Sequence, residues 1–187
     1  MKIREPWLTA ANVVTAIRTL GGVLMFAAAA RAHSPLLNFG GLAVYWVLDI
    51  LDGWLARRFD QETRLGAQFD ILADRLLVAF FYFNYLHWNP EAALPVLLFL
   101  TNFMVLDHFL SNQFLRWPIR SPNYFYQVDR VTYLLNWSPL GKATNSGLVT
   151  VALAFLGWHD CAIAICAALI LVKGYSIGRL HRLGGGV

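Results

Sequence analysis

The sequence predicts an all-α integral membrane protein with six transmembrane helices in a compact bundle, preceded by a short N-terminal interfacial segment. Hydrophobic residues make up 58% of the 187 residues and charged residues 14%, whereas soluble domains carry about 25% charged residues. The mean hydropathy is +0.51. The apolar residues form six runs, each close to the ~20 residues that a helix needs to cross a bilayer, so a soluble fold is disfavoured.

The whole chain, residues 1–187, is expected to form a single domain. Residues 1–11 are predicted to be the interfacial segment, with Trp7 at the depth of the lipid headgroups. The bundle occupies residues 12–180. Its helices are predicted at residues 12–30, 36–56, 67–88, 92–115, 141–158 and 161–180. Residues 116–140 are rich in Pro, Asn, Tyr and Arg, which predicts an interfacial loop with a short helix.

Positive charges lie almost entirely on one side of this predicted topology. Of the 15 Lys and Arg residues, eleven fall on the side that holds both termini and only Arg31 falls on the other side. The remaining three, Arg18, Arg75 and Lys173, lie within the predicted spans. Because cytoplasmic loops carry the excess of Lys and Arg, both termini are expected to face the cytoplasm from the plasma (inner) membrane. The net charge of +4 then reflects these loops and their contact with anionic headgroups, and nucleic acid is not expected as a partner.

Four aspartates lie at the facing ends of the second and third predicted helices. Asp49 and Asp52 are three residues apart, and Asp70 and Asp74 are four apart, so each pair shares one face of its helix. A short connection should bring the four carboxylates together near the cytoplasmic surface. Such a cluster requires protonation or a cation, and oxygen ligands select hard divalent ions. The competing interpretation is a set of helix-end carboxylates paired with neighbouring arginines.

The stretch from Asp49 to Asp74 resembles the signature of the CDP-alcohol phosphotransferases. Its spacing, D-x2-D-G-x2-A-R-x8-G-x3-D-x3-D, agrees with that signature at all eight fixed positions. The resemblance implies a six-helix membrane enzyme, usually a homodimer, that transfers a phosphatidyl group from CDP-diacylglycerol to a polar alcohol and releases CMP. It also implies that Asp49, Asp52 and Asp70 bind Mg²⁺ or Mn²⁺, as two ions, and that Asp74 joins the metal site and is the catalytic base.

The same resemblance implies a binding site for the CDP-lipid. The signature residues expected to contact its cytidine diphosphate part are Gly53, Ala56, Arg57 and Gly66. Arg57 offers a planar donor fork to a phosphate, and small residues leave room for a bulky headgroup. Asn12-x2-Thr15-x2-Arg18 resembles a pattern on the first helix of the family, which places Thr15 near the nucleotide. Polar packing between helices is the alternative for this trio.

The acceptor alcohol is less well specified by the sequence. Lys142, Arg75 and Arg116 are candidates to bind an acceptor phosphate, and the alternative for each is a cytoplasmic charge that only orients the chain. Family members that use glycerol-3-phosphate typically read Asp-Pro-x-x-Asp-Lys, whereas this chain reads Asp70-Ile-Leu-Ala-Asp74-Arg75. This departure argues against glycerol-3-phosphate. Glycerol-3-phosphate is still the predicted acceptor, because it is a common acceptor in this family, and the alternatives are inositol phosphate and phosphatidylglycerol.

Four other interpretations compete with membership of this enzyme family. A cation transporter also places aspartates within the membrane, but no duplicate of the aspartate block is present. A membrane prenyltransferase would need more helices and would leave the small residues of the motif unexplained. An inactive relative would retain the motif for binding or assembly. A cleavable signal peptide at the N-terminus conflicts with Asn12, Thr15 and Arg18, which interrupt the first apolar run.

Overall fold

The computed structural model describes Pro6 and residues 8–184 of the chain. It is 87% helical, and the described residues contain no strand, as predicted. The helices are α1 (Ala10–Arg31), α2 (Pro35–Arg58), α3 (Arg64–Trp88), α4 (Pro90–Arg116), α5 (Arg130–Asn136), α6 (Pro139–Lys142) and α7 (His159–Gly184). The interfacial segment predicted for residues 1–11, including Trp7, lies largely outside the described residues.

The chain divides into two compact units, Met1–Pro90 and Glu91–Val187. In the first unit, each of the three helices begins at a hydroxyl side chain that accepts a hydrogen bond from a free backbone N–H. Thr9 accepts from Asn12 N, Ser34 accepts from Leu37 N, and Thr63 accepts from Gly66 N. These N-caps fix where α1, α2 and α3 begin, and therefore where the aspartates fall along α2 and α3.

Glycines allow the three helices of the first unit to pack closely. A Cβ atom on Gly41 of α2 would lie 2.8 Å from Cε1 of Phe26, a buried residue of α1. A Cβ atom on Gly22 would meet the Leu77 side chain at 2.6 Å. The interior also contains the amide of Asn84, whose Nδ2 donates to the Phe26 carbonyl oxygen at 2.9 Å. Close backbone approach and satisfied polar groups are both typical of helix packing in membranes.

The second unit contains more irregular helices. α4 includes a π-helical segment, Asn102–Asp107, and α6 continues into the π-helical segments Ala143–Leu148 and Val151–Phe155. The predicted loop at residues 116–140 contains a 3-10 helix, Pro122–Gln127, in addition to α5. The buried Lys173 of α7 forms an ion pair with Asp107 of α4, which compensates a charge that would otherwise be costly within a span.

Four helices of the described chain are long and apolar enough to cross a membrane: α1, α2, α4 and α7. They carry many large apolar side chains on their exposed surfaces, such as Leu24, Val47 and Leu171. The third predicted span, α3, is a helix but carries Arg64, Asp70, Asp74 and Arg75, which lower its hydropathy. The fifth predicted span forms from short helical segments. Six spans in one bundle therefore stay a prediction.

Candidate active site

The candidate site lies entirely within the first unit and draws on α1, α2 and α3. Asp49 and Asp52 lie one turn apart on α2, and Asp70 and Asp74 lie one turn apart on α3. The connection between the two helices is only residues 59–63, with Asp60 at a φ of 50° in the turn. The structure thus brings together all four aspartates that the sequence singled out.

Arg18 of α1 lies at the centre of the four carboxylates and is fully buried. Its Nη1 donates to Asp49 and lies 3.4 Å from Asp52 Oδ2. Its Nη2 donates to Asp70 Oδ1 at 2.7 Å and to Asp74 Oδ1 at 3.2 Å. One guanidinium therefore connects both aspartate pairs, and a planar donor fork is well suited to that role.

Two further side chains hold the carboxylates in place. Tyr45 donates from its hydroxyl to Asp74 Oδ1 at 3.1 Å, and the Arg18 guanidinium lies 5.4 Å from the centre of its ring. Thr15 donates from its hydroxyl to Asp52 Oδ2 at 2.8 Å. The structure thus places Thr15 beside an aspartate, one turn before Arg18 on the same helix.

The residues present suit a divalent metal ion. One carboxylate oxygen from each of Asp49, Asp70 and Asp74 can be chosen so that all three lie within 4.8 Å of one another. Asp52 differs, because only 5% of its side chain is exposed and its Oδ2 accepts from Thr15. Four carboxylates and one guanidinium carry a net charge of −3 when all are ionised. The cluster could therefore hold a hard divalent cation, since oxygen donors and negative charge favour such ions.

The small residues of the motif border the cluster. The Arg57 guanidinium lies over Gly53, and a Cβ atom there would be 3.2 Å from its Nη1. A Cβ atom on Gly66 would lie 2.6 Å from Asn12 Oδ1 and 2.9 Å from Thr63 Oγ1. Ala56, one turn after Gly53, is half-buried. Glycine at position 66 thus lets the start of α3 approach α1 closely.

The three candidate acceptor-binding residues lie in different units. Arg75 follows Asp74 on α3 of the first unit and is buried. Arg116 ends α4 of the second unit, where it donates to Gln113 Oε1 at 3.1 Å and to the Gly184 carbonyl oxygen at 3.3 Å. Lys142 ends α6 and is exposed.

Sequence reasoning did not place Arg18 or Tyr45 in the site. Arg18 belongs to the first-helix pattern, and a buried charge within a span is itself a signal that a counter-charge is near. Tyr45 lies four residues before Asp49, which places both on one face of α2. That spacing could have suggested Tyr45, although its bond to Asp74 of α3 depends on the tertiary packing.

Comparison with known proteins decides the family. The profile of CDP-alcohol phosphatidyltransferases matches residues 8–172, which include the whole aspartate cluster. The chain belongs to this family. Membership of this family of membrane enzymes, together with the four apolar helices, identifies an integral membrane protein.

Three curated relatives are similar to the chain. A CDP-diacylglycerol--glycerol-3-phosphate 3-phosphatidyltransferase of Cereibacter sphaeroides is 29% identical over 158 residues, which cover 78% of this chain and 62% of that protein. One of the same name from Aquifex aeolicus is 37% identical over 54 residues, 29% of this chain and 30% of that protein. A CDP-diacylglycerol--inositol 3-phosphatidyltransferase of Candida albicans is 31% identical over 75 residues, 40% of this chain and 32% of that protein. The matches thus span less than two thirds of each relative, and no solved structure matches the chain significantly.

Proposed function

We propose that this family member transfers a phosphatidyl group from CDP-diacylglycerol to a polar alcohol and releases CMP. The observation that carries the proposal is the convergence of four aspartates, at the spacing of the family motif, around one buried guanidinium. Three relatives whose names describe this class of reaction support it. An inactive relative or a cation transporter would retain the cluster without the transfer.

Asp74 is proposed as the base that accepts the proton of the acceptor hydroxyl. The acceptor oxygen forms a bond to the lipid-side phosphorus of the diphosphate, and the bond from that phosphorus to the CMP oxygen breaks. CMP departs with the electron pair, and the proton remains on Asp74. Tyr45 donates to Asp74 Oδ1, which leaves Oδ2 as the oxygen to receive the proton. Positioning a base in this way contributes to catalysis through orientation and proton transfer.

Asp49, Asp52, Asp70 and Asp74 are proposed to hold Mg²⁺ or Mn²⁺, as two ions. When bound, divalent ions neutralise negative charge on the diphosphate and on departing CMP. The cluster of three carboxylate oxygens within 4.8 Å supports this assignment, and so does its net negative charge. Thr15 orients Asp52 through its hydroxyl and is also proposed to lie near the nucleotide.

The CDP part of the lipid is proposed to bind along the motif. Arg57 would donate to a phosphate, and it is exposed above Gly53 on the face of α2 that carries the aspartates. The residues proposed to contact cytidine diphosphate are Gly53, Ala56, Arg57 and Gly66. This arrangement keeps the acyl chains in the bilayer while the polar headgroup reaches the carboxylates.

Glycerol-3-phosphate is proposed as the acceptor, because two of the three relatives carry that substrate in their names. Lys142, Arg75 and Arg116 are the candidates to bind its phosphate. The relative from Candida albicans is named for inositol, so inositol is a second candidate. Inositol phosphate and phosphatidylglycerol stay open as further acceptors.

The chain is further proposed to form one domain with six spans in a bundle, and to work as a homodimer. The active site and both termini would face the cytoplasm from the plasma membrane. The family profile supports a single domain, because its match extends over residues 8–172. The distribution of Lys and Arg supports the orientation.

The experiment is a panel of acceptors. Purified chain in nanodiscs receives CDP-diacylglycerol and Mg²⁺ with glycerol-3-phosphate, inositol, inositol phosphate, serine or phosphatidylglycerol separately, and CMP and the lipid product are followed by mass spectrometry. CMP release that depends on glycerol-3-phosphate supports the proposal. A lipid product whose mass matches a different acceptor would assign that acceptor instead. Folded protein that binds CDP-diacylglycerol but releases no CMP with any acceptor would contradict the proposed transfer.

A further inference from the structure

Arg18 differs from an ordinary surface partner of a carboxylate. It is fully buried, and its guanidinium contacts all four aspartates through Nη1 and Nη2. Among the described residues, its Nε has no hydrogen-bond partner. The guanidinium thus enters the cluster end-on, with its two terminal nitrogens directed at the carboxylates.

The contacts of Arg18 coincide with the candidate metal ligands. Nη1 donates to Asp49, and Nη2 donates to Asp70 and Asp74, and these three aspartates are the ones whose oxygens lie within 4.8 Å of one another. A divalent ion at this position would seek the same carboxylate oxygens. The two positive charges of the ion would also lie close to the positive charge of the Arg18 guanidinium, and like charges in a poorly solvated site repel strongly.

We propose that Arg18 is the resident counter-cation of the aspartate cluster, holding the carboxylates together without metal and competing with the divalent ion for them. This inference rests on the metal site of the proposed function. Without Arg18, the four carboxylates would lose the one buried guanidinium that contacts all of them, which disfavours the folded metal-free state. With metal bound, Arg18 yields part of its contacts, and its presence lowers the affinity of the cluster for the ion.

The surroundings of Arg18 show why it can yield without leaving. Thr15, one turn earlier on α1, keeps its own hydrogen bond to Asp52. Tyr45 offers the face of its ring to the guanidinium and separately donates to Asp74. These two residues anchor Asp52 and Asp74 independently of Arg18. A long side chain on a fixed helix can therefore shift while the carboxylates retain part of their positions.

The test compares the native chain with Arg18→Met, which keeps an unbranched apolar side chain and removes the guanidinium with its charge. Mn²⁺ affinity is measured by the electron paramagnetic resonance signal of free Mn²⁺, and thermal unfolding is followed with and without Mn²⁺. We expect the dissociation constant for Mn²⁺ to fall about tenfold in Arg18→Met. We also expect a lower melting temperature without metal and a larger rise on adding Mn²⁺. The matched control is Arg31→Met, an exposed arginine of the same helix, which should behave as the native chain.

A purely structural role for Arg18 would weaken Mn²⁺ binding when the side chain is removed, so tighter binding is the distinguishing result. If the native chain binds Mn²⁺ and Arg18→Met binds it equally well or more weakly, the inference is overturned and the proposed function stands. Native chain that binds no Mn²⁺ overturns the metal site and this inference together.

A second measurement avoids the variant. Native chain labelled with ¹⁵N-arginine should show a guanidinium resonance that shifts on adding Mg²⁺, and unchanged resonances at Mg²⁺ saturation would overturn the competition.

Discussion

At the scale of single residues, the four aspartates are not equivalent. The side chains of Asp49 and Asp70 are 39% and 41% exposed, whereas that of Asp52 is 5% exposed and bonded to Thr15. Asp74 lies between these extremes, at 20%, and its Oδ1 accepts from Tyr45. In the proposed function, this exposed pair is the part of the cluster that an incoming ion would meet first. Asp74 combines access with a fixed orientation, which is what a positioned base requires.

Replacing Asp74 tests its role as the base. We expect Asp74→Asn to lower kcat about a hundredfold or more, because the amide cannot accept the proton of the acceptor hydroxyl. The measurement is CMP release at saturating CDP-diacylglycerol and acceptor. Asp160→Asn, at an exposed position near the start of α7, is the control and should retain native turnover. Native turnover in Asp74→Asn would refute the assignment.

Thr15 provides a finer test at the same scale. Thr15→Val keeps the shape of the side chain but leaves the buried Asp52 without its hydroxyl donor, so we expect a loss of about 1–3 kcal/mol in unfolding free energy. Thr15→Ser retains the hydroxyl and should remain closer to the native chain. Unfolding of both variants in the same detergent gives the comparison. Equal stability of Thr15→Val and the native chain would show that the bond to Asp52 contributes little.

At the scale of helices, close packing of α1 against α2 and α3 positions the cluster. Phe26 of α1 packs edge-on against Phe81 of α3, with ring centres 6.4 Å apart. Gly41 of α2 lies directly against the Phe26 ring. The three helices therefore meet at one aromatic contact. A change there should reach the site through the helices, because a packed interior has little free volume.

Gly41 and its neighbour Gly40 form a matched pair. Gly41→Ala would place Cβ 2.8 Å from the buried Phe26 ring, and we expect it to destabilise the fold by about 1–3 kcal/mol. Gly40→Ala meets only the end of Met25, at 3.8 Å, and should be neutral or stabilising by up to about 1 kcal/mol. Thermal unfolding of the two variants checks this order. The reverse order would contradict the packing of α1 on α2.

In the second unit, Asp129 connects α5 to α7. Its carboxylate caps α5 by accepting from Thr132 N at 2.9 Å, and Arg179 donates to both of its oxygens, at 2.7 and 2.9 Å. Hydrogen bonds from Arg179 lower the pKa of Asp129 from 3.8 to about 2. The carboxylate is therefore held charged in the folded state more strongly than in the unfolded state.

The lowered pKa sets the direction of a pH dependence. The stabilising contribution of Asp129 is fully present above about pH 4 and is lost as the pH falls towards about 2. Asp129→Asn keeps an N-cap acceptor but loses the ion pair, so it should be about 1–2 kcal/mol less stable than the native chain at pH 7. That difference should shrink below pH 4. A difference that stays constant from pH 7 to pH 2.5 would contradict the ion pair as its cause.

At the scale of the whole molecule, the orientation of the chain in the membrane is directly testable. The proposed even number of spans, together with the distribution of Lys and Arg, predicts that both termini lie in the cytoplasm. We expect a green fluorescent protein fused at the C-terminus to fluoresce in cells, and alkaline phosphatase fused there to be inactive. An active phosphatase fusion at the C-terminus would refute this orientation.

The sequence predicted most of the helices and all four aspartates of the cluster, because spacing within a helix determines which residues share a face. It did not reveal that Arg18 joins the two aspartate pairs, since that contact requires α1 to pack beside both α2 and α3. The pairing of Lys173 with Asp107 was missed for the same reason. The π-helical segment Asn102–Asp107 has no simple pattern in sequence, because its geometry depends on the surrounding helices.

The most direct test of the central claim is whether the purified native chain requires a divalent metal ion to form CMP and a phospholipid in equal amounts. Chain stripped of metal with EDTA is given CDP-diacylglycerol and glycerol-3-phosphate in nanodiscs, before and after addition of Mg²⁺ or Mn²⁺. We expect neither CMP nor a new phospholipid before metal is added, and equal molar amounts of both after it. Equal product formation with and without metal would contradict a metal-assisted transfer at the aspartate cluster. CMP released without a matching phospholipid product would show that the phosphatidyl group is not transferred to the alcohol.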